Sequence, residues 1–242
     1  MARPKRRRRP SKLPAPGTWA ALMALVAFAY AGWIWLQENP QHNPWAPLDL
    51  RQERGWATAA KLELAREDMD ECRAVLTRSE VAFTALDPSG EGECRREDRL
   101  TLPDLSLTPT TPQMTCPVAI GLELWRQDLA PLAEDILGSP IARIEQLGTY
   151  SCRRMYGAQT GNWSEHAIGN AIDIAAFVLE DGRRISVLDD WDDEGERGQF
   201  LRAAREAACK SFGAVLSPDY NAAHANHFHL DQGRPIVMGF CP

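Results

Sequence analysis

Residues 18–36, TWAALMALVAFAYAGWIWL, form an unbroken run of 19 apolar or small residues, with Thr18 the only polar one. About 20 such residues cross a bilayer as a helix. The next stretch, 37–55, has three prolines and little apolar pattern, so it reads as a spacer. From Trp56 to Ser79, good helix formers run without Gly or Pro and predict a helix. Residues 81–115 mix short β-type runs with DPSGEGE and several prolines, which predicts a hairpin and loops. Residues 117–138 are helical in pattern; Pro117 suits a first turn, and Pro131 is placed to kink or divide the helix. IARIEQLGTYSCR (141–153) predicts a long strand or a strand pair, NAIDIAAFVL (170–179) a buried strand, and DGRRISV (181–187) its hairpin return. Residues 198–212 predict an amphipathic helix with Phe200, Leu201, Ala204, Ala208 and Phe212 on or near one face. AVLSPDY (214–220) and HFHLDQ (227–232) predict short strands around a loop. This order implies an α+β fold with a small, largely antiparallel central sheet flanked by helices, preceded by one transmembrane helix. The expected organisation is a tip at 1–17, an anchor at 18–36, a linker at 37–55 and a domain at 56–242.

Charge orients this chain. The first 12 residues carry seven bases (Arg3, Lys5, Arg6, Arg7, Arg8, Arg9 and Lys12) and no acid, and residues 13–37 carry no charge. The remaining 20 bases face 33 acids, so the overall charge of -6 divides into a tip of +7 and a body of -13. An acidic body argues against nucleic acid as the main partner. The basic tip fits the positive-inside rule, and Trp19, Trp33 and Trp35 suit the membrane interfaces. Ala29-Tyr30-Ala31 resembles a signal-peptide cleavage site, but GWIWL prolongs the apolar run beyond it and favours an uncleaved anchor. The expectation is a single-pass protein of a bacterial inner membrane, N-terminus cytoplasmic and C-terminal domain periplasmic. Six cysteines, at 72, 94, 116, 152, 209 and 241, suggest disulfides in an exported body. None lies in a C-x-x-C pair, which argues against a cysteine zinc knot or a redox site. A local Cys72–Cys94 loop is the pairing expected.

Chemistry concentrates in two places. SEHAIGNAID (164–173) and HANHFHLD (224–231) hold four of the five histidines; the fifth, His42, lies in the spacer. Strand alternation puts Asp173 on a face with Ala175 and Phe177, opposite Ile172 and Ile174. A carboxylate among apolar residues needs a partner or a metal. His227 and His229 share a face, with Phe228 on the other. Two imidazoles and one carboxylate make the open tripod of a catalytic zinc site, with water in the fourth position.

Ser164-x-His166-x-x-Gly169-x-Ala171-x-Asp173 resembles the S-x-H-x-x-G-x-A-x-D motif of the zinc D-alanyl-D-alanine carboxypeptidases, the murein endopeptidases and the hedgehog signalling domain. His227-x-His229 resembles their second motif, and His224-x-x-His227-x-His229 is similar to the endopeptidase version. More closely, about 56–242 resembles the bacterial extensin-like C-terminal domain family, on GTYSCRRMYG, SEHAIGNAIDIAAFVLEDG and HANHFHLD. The resemblance implies His166, Asp173 and His229 as Zn2+ ligands and His227 as general base where the carboxypeptidases use Glu; the spacing also admits His227 as a ligand. It implies His224 in transition-state stabilisation or substrate binding, Arg153 (or Arg154) as the cation that orients substrate, and Ser164 as a hydrogen-bonding partner of a substrate carboxylate. Gly169 and Ala171 are expected to keep space near the metal. The implied activity is that of a membrane-anchored zinc peptidase acting on D-amino-acid bonds of peptidoglycan; the alternative is a non-catalytic zinc-containing module that binds cell wall or a partner.

Overall fold

The computed structural model describes residues 16–109 and 111–242; the basic tip lies outside the described residues. The apolar run forms α1 (Pro16–Glu38), and Gly17–Glu38 is long and apolar enough to cross a membrane.

Helix formers from 56 to 79 make two helices, α2 (Thr58–Glu67) and α3 (Met69–Arg78), where the pattern predicts one. Asp68 explains the break. It adopts an extended backbone and its side chain accepts hydrogen bonds from the amides of Asp70 and Glu71 at 2.9 and 3.1 Å, an N-cap that outcompetes a continuous helix. The 81–115 stretch contains the small hairpin β1 (Thr84–Ala85) and β2 (Leu100–Thr101), then β3 (Leu107–Thr108). Next comes α4 (Cys116–Leu137), which runs unbroken through Pro131 and stops at Gly138 in the left-handed region. Burial of its apolar face outweighs the one backbone bond that proline removes.

β4 (Ile141–Gly148), β5 (Ala171–Leu179) and β6 (Arg184–Ser186) follow, then α5 (Val187–Asp190), α6 (Glu196–Ala208), β7 (Ala214–Leu216) and β8 (Phe228–Asp231). The main sheet has the order β3-β4-β5-β8-β7, with β6 also on β5; only the β3–β4 pairing is parallel. The fold is thus α+β with a largely antiparallel sheet.

α4 and α6 supply the core. Trp125 of α4 meets Phe177 edge to face with ring centroids 5.7 Å apart, Phe177 meets Phe200 of α6 at 5.1 Å, and the Trp125 indole donates to the Ala204 carbonyl at 2.8 Å. Phe177 therefore joins the core with Ile172 and Ile174, not the face of Asp173 as simple alternation predicts. The cause is a register slip against β4: Glu145 pairs with Ala176 but Gln146 pairs with Ile174, so one residue of β5 bulges and the pleat changes phase. Site and core thereby share one strand: Asp173 turns to the site, while Ile172, Ile174 and Phe177 turn to the core.

Two further expectations change. The stretch read as a spacer contributes Leu48 and a fully buried Leu50 to the core, and the Leu50 amide donates to Ser79 Oγ at 2.8 Å. The pairs are Cys72–Cys116, Cys94–Cys152 and Cys209–Cys241, so the local Cys72–Cys94 loop does not form. Cys72 is buried where α3 meets the start of α4, and Cys94 lies against the loop that leads into the site; tertiary neighbours decide the pairing.

Candidate metal centre

Each site residue sits where a sheet strand or a capped turn can hold it. Asp173 and His229 are directly opposed on the central strands β5 and β8. His166 comes from a 3₁₀ turn, Glu165–Ile168, that enters β5. Ser164 caps that turn by accepting the His166 amide at 3.3 Å, and Gly169 ends it at φ +75°, a conformation that L side chains rarely adopt. A Cβ at Gly169 meets nothing closer than 3.6 Å, so the glycine serves the turn's conformation and not space beside a metal.

Three ligand atoms converge. Asp173 Oδ1 lies 3.1 Å from His166 Nε2 and 3.0 Å from His229 Nδ1, and the two nitrogens are 3.1 Å apart. A tetrahedral ion with bonds of about 2.0–2.1 Å separates its ligand atoms by about 3.3 Å, so the triangle needs almost no expansion to hold one. The outer nitrogens fit the same role. His166 Nδ1 faces the Thr149 carbonyl at 3.1 Å, and His229 Nε2 faces Asp231 Oδ2 at 2.9 Å. Each partner is an acceptor, so each outer nitrogen can keep its proton, and each inner nitrogen can offer a lone pair to an ion once the proton it shares with Asp173 has left. The carboxylate on His229 is the stronger orienter, because its bond is charge-assisted.

Electrostatics follow from the same contacts. Burial alone would raise the Asp173 carboxyl, but hydrogen bonds from His166 and His229 outweigh it and hold the group far below its ordinary value. Burial opposes the charge on His229, yet its bonds to Asp173 and Asp231 push it up to about 9. The ring is then protonated at neutral pH, and a proton shared with Asp173 stands where a cation would bind.

The triangle lies at the floor of a cleft of about 720 Å³. His224 and His227 line it. His227 Nε2 is 3.6 Å from Asp173 Oδ1, and its Nδ1 is held by Asn226 Oδ1 at 2.8 Å. His227 is not one of the three mutually close ligand groups. Burial pushes the His227 ring down and, with neighbouring imidazoles, takes His224 to about 4. Both are neutral at pH 7. Asn221 Oδ1 accepts from His224 Nδ1 at 2.8 Å and from the Ala223 amide at 3.0 Å, so His224 Nε2 is left as an acceptor. Such a ring suits a substrate N–H better than a developing oxyanion.

Arg153 and Ser164 also line the cleft, Arg153 exposed at its rim and close enough to disfavour charge on His224 and His227. Arg154 is turned away from this duty: it lies over the Trp163 ring at 4.5 Å and donates to the Gly161 carbonyl. The bond between Cys152 and Cys94 pins the backbone beside Arg153.

Residues 70–242 match the family described as Extensin-like protein C-terminus. The chain belongs to that family. The match begins within α3 and covers every residue of the triangle and its cleft. No curated protein and no solved structure matches this chain.

Several contributors escaped the motif reading. Asp231 was legible as the next residue on the His229 face, since β8 has a period of two. The Thr149 carbonyl left no sequence signal, because any residue has one. Glu165 lines the cleft too; burial raises its carboxyl, and Asn170 Nδ2 donates to it at 2.7 Å.

Proposed function

We propose that this protein is a membrane-anchored zinc peptidase whose substrates are D-amino-acid-containing peptides of peptidoglycan. What supports the reading most is the tautomer-matched triangle of His166, Asp173 and His229, whose two imidazoles and one carboxylate are the donor set of open catalytic zinc sites. The geometric fit and the Ser164-to-Asp173 motif point the same way. Zinc bound there would polarise a carbonyl and lower the pKa of its water towards about 7.

The chain's own residues do the rest. His227 is neutral, and Asn226 leaves its Nε2 free to accept a proton from the attacking water. It returns that proton to the leaving amine as the peptide bond breaks. Arg153 at the rim stabilises charge developing on the carbonyl oxygen. His224 accepts a substrate N–H, and Ser164 meets a substrate carboxylate. Three disulfides and a helix fit to cross a membrane suit an oxidising, extracytoplasmic compartment.

The test is digestion of purified peptidoglycan by the zinc-loaded full chain in detergent, with released fragments identified by mass. The parent releases stem-peptide fragments; His227→Ala keeps its zinc and releases none. Tight wall binding without any release would instead make the protein a zinc-containing binding module. Unchanged zinc content in His166→Ala would overturn the ligand set.

A further inference from the structure

The outer end of α1 runs into a built joint. Trp35, in the last turn of α1, stacks on His42 with centroids 5.3 Å apart and rings within 14° of parallel; His42 in turn stacks on Trp56 at 5.9 Å and 22°. Asn39 Nδ2 donates to the Trp35 carbonyl at 2.8 Å, the Trp56 amide donates to His42 Nδ1 at 3.3 Å, and buried Lys61 of α2 donates to the Pro40 carbonyl at 2.6 Å. With Leu48 and Leu50 in the core, the 37–55 segment is a collar between helix and domain.

This collar sets a level. The candidate span has 22 residues, about 33 Å of helix against a hydrocarbon core of about 30 Å. Trp35 therefore falls at the outer interface, the depth at which tryptophans concentrate. Trp56 shares its ring stack, and Trp45 follows closely, its amide bonded to Asn43 Oδ1 at 3.0 Å. Both point away from the protein body: Trp45 is 77% and Trp56 63% exposed. Two large indoles left uncovered beside a membrane helix have an obvious cover, the lipid continuous with that helix. An acidic body gains nothing from anionic headgroups, so the contact is apolar.

We propose that Trp45 and Trp56 dock the domain onto the outer leaflet of the bilayer that α1 enters, holding the cleft at a fixed, low height. The proposal rests on α1 being inserted. The height follows from α2, which starts two residues after Trp56 and has 10 residues, about 15 Å. Glu63 and Arg66 of α2 bind the backbone at Ile236 and Gln232, next to Gly233 and Arg234 of the cleft wall. The rise from Thr58 to Arg66, about 12 Å, and one arginine side chain separate that wall from the start of α2, so it stays within about 25 Å of it whatever the helix's tilt. The cleft meets ligands close to the membrane surface and cannot range through a thick wall layer.

Fluorescence of the full chain in phosphatidylcholine vesicles tests this, comparing the parent with a Trp45→Phe/Trp56→Phe double variant. The component lost in the variant is expected to be quenched mostly by lipid brominated in its acyl chains and shielded from aqueous iodide, and to be unchanged at high salt. A lost component quenched mostly by iodide overturns the docking. The remaining signal separates the two readings: if bromolipid quenches neither Trp19, Trp33 nor Trp35 in the variant, α1 is not inserted and the docking falls with it.

Discussion

Replacing Asp231 by Asn isolates the orienting bond on His229. Asp231 is buried and uses both oxygens: Oδ2 takes His229 Nε2 at 2.9 Å and Oδ1 takes the Gly233 amide at 2.9 Å. An amide of the same shape has one oxygen and one NH₂ group. Whichever way it turns, one of the two N–H donors faces another donor. If the NH₂ faces His229, the ring must move its proton to Nδ1, and the lone pair leaves the triangle. If the oxygen faces His229, the bond survives without its charge and the Gly233 amide is unsatisfied. A charge-assisted bond contributes about 1.5–3 kcal/mol, and loss of an outer-shell partner typically weakens a metal site about 10–100-fold, or about 1.4–2.7 kcal/mol. The two magnitudes agree. Competition with a chromogenic chelator at pH 7.5 measures the affinity, and a thermal melt of each metal-free protein controls for folding. Zinc affinity within about threefold of the parent, with the fold intact, would refute the claim that Asp231 sets the His229 tautomer.

The pH dependence has a definite sign. His229 has a folded pKa of about 9 against an ordinary 6.5, so at pH 7 an incoming ion must displace its proton. Zinc binding is expected to tighten as pH rises from 7 to about 9 and to release about one proton per ion at pH 7, read by calorimetry in buffers of different ionisation enthalpy; pH-independent binding would contradict it. In the metal-free protein the same raised pKa stabilises the fold below about 6.5 and loses that contribution as pH climbs through about 9, so the melting temperature falls over that interval. Gly169→Ala forces a Cβ into φ +75° with no steric overlap, costing about 1–2 kcal/mol, and an unchanged denaturation midpoint would sink the turn argument. Mass mapping of non-reduced peptides is expected to recover Cys72–Cys116, Cys94–Cys152 and Cys209–Cys241 with no free thiol; a Cys72–Cys94 peptide would reverse that assignment.

Local pattern carried a good deal of this protein. The apolar run of α1, the amphipathic α6, the buried β5 and the short β8 are all periodic signals, and periodicity is a property of neighbours in sequence. The candidate ligands were legible for a chemical reason: histidines are few here, four of the five fall in two short stretches, and an acid in an apolar strand needs a partner. Where such reading failed, one residue or one distant contact decided the outcome. Asp68 split a helix by capping it, a bulge moved Phe177 into the core, and Leu48 and Leu50 turned a spacer into part of the domain. Disulfide partners, the meeting of Asp173 with His229 and the Thr149 carbonyl that orients His166 depend on groups 17 to 58 residues apart meeting in space. Composition and spacing can name the atoms able to bind an ion, but only packing of the sheet and its turns brings their lone pairs to one point.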